Sequence, residues 1–260
     1  MSTLRNNMNI KKKEQQNPVA LVTGGAKRIG KEIIKTLHAA GYSTIIHYRN
    51  SKEPAEALAA ELNVLRANSA LCIAAELNDI HAIQQLTEKS LAAWGRIDAL
   101  VNSASSFYPT SIGNTTENQW DELIGSNMKA PFFLAQALAL ALKKQQGAIV
   151  NIADIYAEKP LAAHTVYCMA KAGNVMLTQS LARELAPHIR VNGVAPGAIL
   201  WPEYGGANEK IAQLKLLDKI PLARTGLPKD IADTVLFLLR DAPYITGQII
   251  AVDGGRSLSF

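Results

Sequence analysis

The chain has only two cysteines in 260 residues, Cys72 and Cys168. They lie far apart and without metal-ligand spacing, so each reads as a small buried apolar side chain. No metal site is expected, and a reducing, cytoplasmic setting fits this usage. Long apolar runs are missing too. The longest, Pro131 to Leu142, is broken by Gln136, whereas spanning a bilayer takes about 20 residues. The opening stretch has no continuous apolar core of the kind a secretory signal carries. Through Asn17 it is polar, and residues 1–17 are expected to form a disordered basic tail.

An extended basic face is also absent. The net charge of +5 comes from 27 basic and 22 acidic residues, and Arg5, Lys11, Lys12 and Lys13 against Glu14 supply much of it. The remainder has no basic stripe interleaved with aromatics, so no nucleic-acid partner is expected, and no membrane partner either. Nor does any Pro/Gly/Ser-rich linker divide the chain. Residues 18–260 are therefore expected to be one domain, and 48% hydrophobic content lets them bury one sizeable core.

What the sequence does contain is alternation. Short apolar runs at Val19 to Val22, Thr44 to His47, Ala70 to Ala74, Ala99 to Val101, Ala148 to Ile152, Arg190 to Val194 and Gln248 to Val252 predict seven buried strands. Between them, segments near 29–40, 52–66, 79–94, 117–144, 165–186 and 228–239 repeat apolar residues at three-to-four spacing, which predicts helices. Strand and helix taking turns imply parallel βαβ units with right-handed crossovers. The fold class expected is α/β: a single-domain, Rossmann-type, doubly wound parallel sheet with helices on both faces. Ligands of such sheets sit beyond the carboxyl ends of the strands.

The chemistry-bearing residues fall there. After the first strand comes Thr23-Gly24-Gly25-Ala26-Lys27-Arg28-Ile29-Gly30. Glycine admits a phosphate close to the backbone, and the following helix N-terminus offers N–H groups and a positive dipole end. The turn lacks a Gly-Lys-Ser/Thr ending, which argues against a P-loop phosphotransferase. Arg28 occupies the place where a middle glycine is common, and its guanidinium faces either a phosphate or the substrate. The second strand ends His47-Tyr48-Arg49-Asn50-Ser51. NAD sites usually present an acidic residue here. This segment has Arg49 as its one charged residue, with Ser51 as a hydroxyl donor, which suits the 2′-phosphate of NADP(H).

Tyr167 and Lys171 stand four residues apart in the 165–186 segment, on one helical face. A phenol with a reference pKa of about 10 is a poor acid–base group near neutrality, and a neighbouring ammonium is expected to pull it down. Asp154 ends the fifth strand, Asn102-Ser103-Ala104-Ser105 follows the fourth, and Asn127 lies in the long segment between. A Tyr–Lys pair alone is an ordinary surface pair, Asp154 alone is a helix cap, and Phe107 alone is core packing. Their joint placement after strands argues for a site.

Together the motifs Thr23-Gly24 to Gly30, Asn102-Ser103-Ala104, Asn127, Tyr167 to Lys171, Pro196-Gly197 and Val252-Asp253-Gly254-Gly255 resemble the short-chain dehydrogenase/reductase family from about Pro18 to Leu258. Within it the chain is most similar to the pteridine reductases. That likeness rests on Ala26-Lys27-Arg28, His47-Tyr48, Ala104-Ser105-Ser106-Phe107-Tyr108-Pro109-Thr110, and Asp154 where most of the family has serine.

The resemblance implies a homotetramer that reduces dihydropterins (dihydrobiopterin, dihydromonapterin or dihydrofolate) with NADPH. Tyr167 would donate the proton with help from Asp154. Lys171 would hold the nicotinamide ribose and Asn127 would maintain a proton relay. Arg28, Ser105 and Phe107 would face the pterin, with Asp154 and Tyr167. Gly24, Arg28, Ile29, Gly30, His47, Tyr48, Arg49, Asn50, Ser51, Glu76, Leu77, Asn102, Ala104, Pro196 and Gly197 would line the cofactor site. Departures from the family pattern are Ser103 in place of a second asparagine, an arginine displaced by one residue to Arg49, and Glu76 in place of an aspartate. Ala198 to Gly206 would form part of a substrate lid. Two other functions compete: a carbonyl reductase of the 3-oxoacyl-carrier-protein reductase type, which Asp154 argues against, and a non-catalytic dinucleotide sensor, which would not need Tyr167, Lys171 and Asn127 together.

Overall fold

The computed structural model describes residues 17–199 and 215–259. Residues 1–16 of the expected tail and residues 200–206 of the expected lid lie outside them. Seven parallel strands form one sheet in the order β3-β2-β1-β4-β5-β6-β7. They are β1 (Val19–Val22), β2 (Ser43–Tyr48), β3 (Ala70–Ala74), β4 (Ala99–Asn102), β5 (Ala148–Ile152), β6 (Arg190–Pro196) and β7 (Ile249–Val252). The order reverses between β1 and β4, so the chain diverges in two directions from that seam and leaves a crevice above it. This is the Rossmann-type arrangement that the alternation implied.

The central strands show why continuous apolar runs rather than alternating ones mark such a sheet. Val19 and Leu21 face one layer with Leu100, Leu134 and Leu138, while Ala20 and Val22 face the other with Ile33, Ile34 and Val235; all are fully buried. The first layer is closed by α3 (Ile80–Trp94), α5 (Ala130–Gln145) and α6 (Thr165–Leu185), and the second by α1 (Arg28–Ala39), α2 (Lys52–Leu65) and α7 (Pro228–Leu236). Local signals set helix ends. The Asp79 carboxylate accepts from His81 N–H at the start of α3, and Gly95, at φ 70°, ends it.

The segment expected as one helix over 117–144 is divided. α4 (Glu117–Ile124) opens on a Thr116–Gln119 capping box. A π-helical turn, Gly125–Lys129, then separates it from α5. The wider turn shifts the helix register at Asn127, and apolar spacing on either side does not record it. A second π turn, Phe237–Asp241, ends the segment expected to run to 239.

Candidate active site

The switch point is stitched together by Thr23. Its N–H donates to Val101 O, and its Oγ1 accepts from Ser103 N–H at 2.9 Å and Ala104 N–H at 3.0 Å. Turn and loop approach so closely that a Cβ on Gly24 would lie 2.9 Å from Ala104 Cα. One at Gly30 would collide with the Gly24 carbonyl. Arg28 takes a left-handed φ of 51°, which explains the glycine common at such a position. Its side chain is exposed.

The His47 side chain is 2% exposed and belongs to the turn's support. Its Nδ1 accepts from Gly24 N–H at 3.1 Å, so Nε2 carries the proton and donates to Ala75 O at 3.1 Å. Burial pushes its pKa down to about 4, outweighing the Ala75 carbonyl and the Glu76 charge. The ring is a neutral strut, inward where the sequence suggested a cofactor-facing group. Gly25 N–H donates to His47 O, so these two glycines spend their N–H groups on β2. The remaining donors are those of the α1 first turn, where Lys27 makes no side-chain cap and no acidic residue intrudes. An uncapped helix start of this kind fits a phosphate.

The other expected cofactor residues divide between surface and support. Tyr48 is half-buried, Arg49 and Asn50 are exposed, and Ser51 heads α2 without making a cap bond. Glu76 is exposed, accepts from Asn78 N–H and lies 3.9 Å from Arg49. Leu77 is buried in the core. Asn102 is buried, and its Nδ2 donates to Asn151 Oδ1 at 2.7 Å, so its side chain ties β4 to β5. Pro196 is buried at the end of β6, and Gly197 N–H donates to Val252 O. A dinucleotide fits what remains open: the bare α1 start, the Gly24–Ala104 approach, and Arg49 with Ser51.

Asp154, Tyr167 and Lys171 converge. The Tyr167 hydroxyl donates to Asp154 Oδ2 at 2.7 Å, and Asp154 Oδ1 accepts from Tyr156 N–H at 2.9 Å. One carboxylate oxygen thus caps the turn Ile155–Ala157 while the other faces the phenol. Burial raises the Asp154 pKa, against the pull of its hydrogen-bond donors and of Lys171 and Arg256. Burial, and then the Asp154 charge, drive the Tyr167 pKa well above the ordinary phenol range. This corrects the expectation that Lys171 lowers it. The ammonium, 5.6 Å from the Tyr167 ring centroid, is anchored elsewhere, on Ile152 O at 2.8 Å. Lys171 is itself 2% exposed, and burial lowers its pKa to about 8.

Asn127, buried on the π turn, fixes the loop after β4. Its Nδ2 donates to Ser106 O and Leu123 O, each at 3.0 Å, and its Oδ1 accepts from Ser105 Oγ at 2.7 Å. Ser105 thereby stands between Asn127 and Tyr167, whose phenol it tends to lower. Phe107, 53% exposed, meets the Tyr167 ring edge-on at 4.8 Å. The ring stacked on it at 4.8 Å and 14° is His164, a residue the sequence reading missed. Another omission is Asn174, 1% exposed, whose Nδ2 donates to Asn127 O at 2.9 Å. Its place three residues after Lys171 on α6 was the available signal. Glu122 was missed as well; it gathers Arg49, Ser106 and Tyr108.

Among the described residues no helix is long and apolar enough to cross a membrane, and no cluster of His, Cys, Asp and Glu has the arrangement of a metal site.

A family model described as Enoyl-(Acyl carrier protein) reductase matches residues 24–257. Pteridine reductase 1 of Leishmania tarentolae is 39% identical, covering 93% of this chain and 97% of that protein. The 3-oxoacyl-acyl-carrier-protein reductase of Staphylococcus aureus is 37% identical over 91% of this chain and 96% of its own. The corresponding reductase of Synechocystis is 35% identical, with the same two coverages.

Proposed function

The chain belongs to the short-chain dehydrogenase/reductase family and is an oxidoreductase, and on that premise we propose that it is an NADPH-dependent pteridine reductase converting dihydropterins to their tetrahydro forms. The observation that carries this reading is the 2.7 Å hydrogen bond from Tyr167 to Asp154. A serine in that place offers a hydroxyl to a substrate carbonyl. An ionised carboxylate cannot donate, but it accepts from the phenol that protonates a ring nitrogen and holds it in place.

NADPH, when bound, supplies the hydride. The residues of this chain position, exclude water and manage the proton. The α1 start with Gly24 and Gly30 would hold the pyrophosphate, Arg49 and Ser51 the 2′-phosphate, and Lys171 the nicotinamide ribose. With its pKa raised, Tyr167 keeps its proton at working pH and can give it up only to an acceptor seated against its oxygen. Asp154, whose hold on a proton burial strengthens, takes one from solvent after the transfer and passes it back to the phenolate. Asn127 keeps Ser105 and the loop in register with Tyr167. Phe107 and Arg28 would face the flat, polar-edged pterin. Residues 18–260 would act as one domain, in a cytoplasmic homotetramer.

The near-equal likeness to 3-oxoacyl-acyl-carrier-protein reductases supports a second reading, reduction of a β-keto thioester. Asp154→Ser separates the two. With NADPH oxidation followed at 340 nm, the pterin reading expects turnover of dihydrobiopterin or dihydrofolate that falls by about 10²-fold or more in the variant, the usual scale for a lost proton-transfer group. Unchanged pterin turnover in the variant would overturn it.

A further inference from the structure

Arg49, the cation expected to meet the 2′-phosphate, is already engaged. Its Nη1 lies 3.4 Å from Glu122 Oε1 and 3.9 Å from Glu76 Oε2. Glu122 comes from α4, 73 residues beyond Arg49 in sequence, and its carboxylate is a hub. Oε1 also accepts from Ser106 Oγ at 3.0 Å, and Oε2 accepts from Tyr108 OH at 3.0 Å. Although burial alone would raise it, those hydrogen bonds and the Arg49 pair hold the Glu122 carboxyl below the usual carboxylate range. Glu122 is therefore charged whenever the chain is near neutrality.

Resting on the NADPH reading above, we infer that Glu122 is a specificity-determining residue for the cofactor: it competes with the 2′-phosphate for Arg49 while anchoring the substrate loop through Ser106 and Tyr108. A phosphate dianion drawn to Arg49 enters the field of Glu122, and of Glu76 beyond it, so part of the attraction that Arg49 offers is cancelled. NADH carries no 2′-phosphate and does not enter this contest. The carboxylate thus narrows the discrimination between the two dinucleotides. The same side chain is kept where it is by the loop, since Ser106 precedes Phe107 and Tyr108 follows it.

Glu122→Gln removes the charge but retains an oxygen acceptor and an amide that can bond the Tyr108 hydroxyl, so the loop keeps its anchor. Dissociation constants of NADPH and NADH are measured by titration of protein fluorescence, for the wild type, Glu122→Gln, Arg49→Gln and the double variant. The exposed setting of the pair sets the expected scale: NADPH tightens about two- to fivefold in Glu122→Gln, while NADH stays unchanged. In the Arg49→Gln background the gain disappears, because no cation is left to free. If Glu122→Gln leaves the NADPH:NADH ratio unaltered, or weakens both dinucleotides alike, the inference is overturned and the NADPH reading stands. A wild type that binds NADH as tightly as NADPH overturns both.

Discussion

Asn174 donates its amide to the main-chain carbonyl of Asn127 across 2.9 Å, joining α6 to the π turn from inside the core. Asn174 in turn belongs to a buried polar series. Asn102 donates to Asn151, Asn151 to Thr178, and Thr178 to the Asn174 carbonyl. A line of amides and a hydroxyl therefore runs from β4 through β5 and α6 to the turn that presents Asn127. Removing one member leaves a neighbour buried without its partner, which costs more than the bond itself.

Asn174→Leu is accordingly expected to lower stability by about 1–3 kcal/mol. Urea unfolding of the two proteins checks this. Equal midpoints would mean that the Asn127 carbonyl is satisfied without Asn174.

Lys171 gives an activity limb. Its pKa of about 8, lowered by burial, means that the ammonium is intact below that pH and lost above it. If that charge holds the dinucleotide, kcat/KM for NADPH falls as pH rises through about 8. Lys171→Arg, whose guanidinium does not titrate there, should retain some activity and show no such limb. A basic limb that persists in the arginine variant would assign it to another group.

His47 gives an acid limb to stability rather than to rate. An unfolded histidine takes its proton near 6.5, while the folded ring resists until about 4. The native state therefore binds fewer protons across that window. Its stability is full above pH 6.5 and is lost as pH falls toward 4, by on the order of 3 kcal/mol for this group. Thermal melts from pH 7 to 4.5 should show the slope in the wild type and a shallower one in His47→Gln. Parallel slopes would show that a group other than His47 carries the dependence.

Gly30 tests the turn. An alanine there sets its methyl on the Gly24 carbonyl, a backbone contact that no rotamer can relieve. A loss of about 1–3 kcal/mol is expected, together with at least a tenfold weaker NADPH affinity as the turn opens. Wild-type binding by Gly30→Ala would show that the turn is not the phosphate cradle.

Much of this was legible in the sequence because buried parallel strands are written as unbroken apolar runs. Val19–Val22 and Ala148–Ile152 match the structure residue for residue, and β2 and β6 differ only at their ends. The Tyr167–Lys171 face followed from helical spacing, and Asp154 from its place after β5. The rest depended on partners distant in sequence. Nothing in the segment 117–144 marks a π turn; it becomes visible only where Asn127 reaches Ser106 and Leu123 at once. Glu122 and His164 look like ordinary helix and loop residues until Arg49 and Phe107 are brought beside them. His47 ends a strand in the sequence, and only its burial and its bonds to Gly24 and Ala75 reveal that its ring supports the turn.

On the proposed function, this site is expected to reduce a pterin rather than a β-keto thioester. The most direct measurement is the wild-type ratio of kcat/KM for dihydrobiopterin to that for acetoacetyl-CoA, both with saturating NADPH. The expected ratio is well above 10², more than about 2.7 kcal/mol of transition-state preference. A ratio below one would contradict it and make the chain a carbonyl reductase.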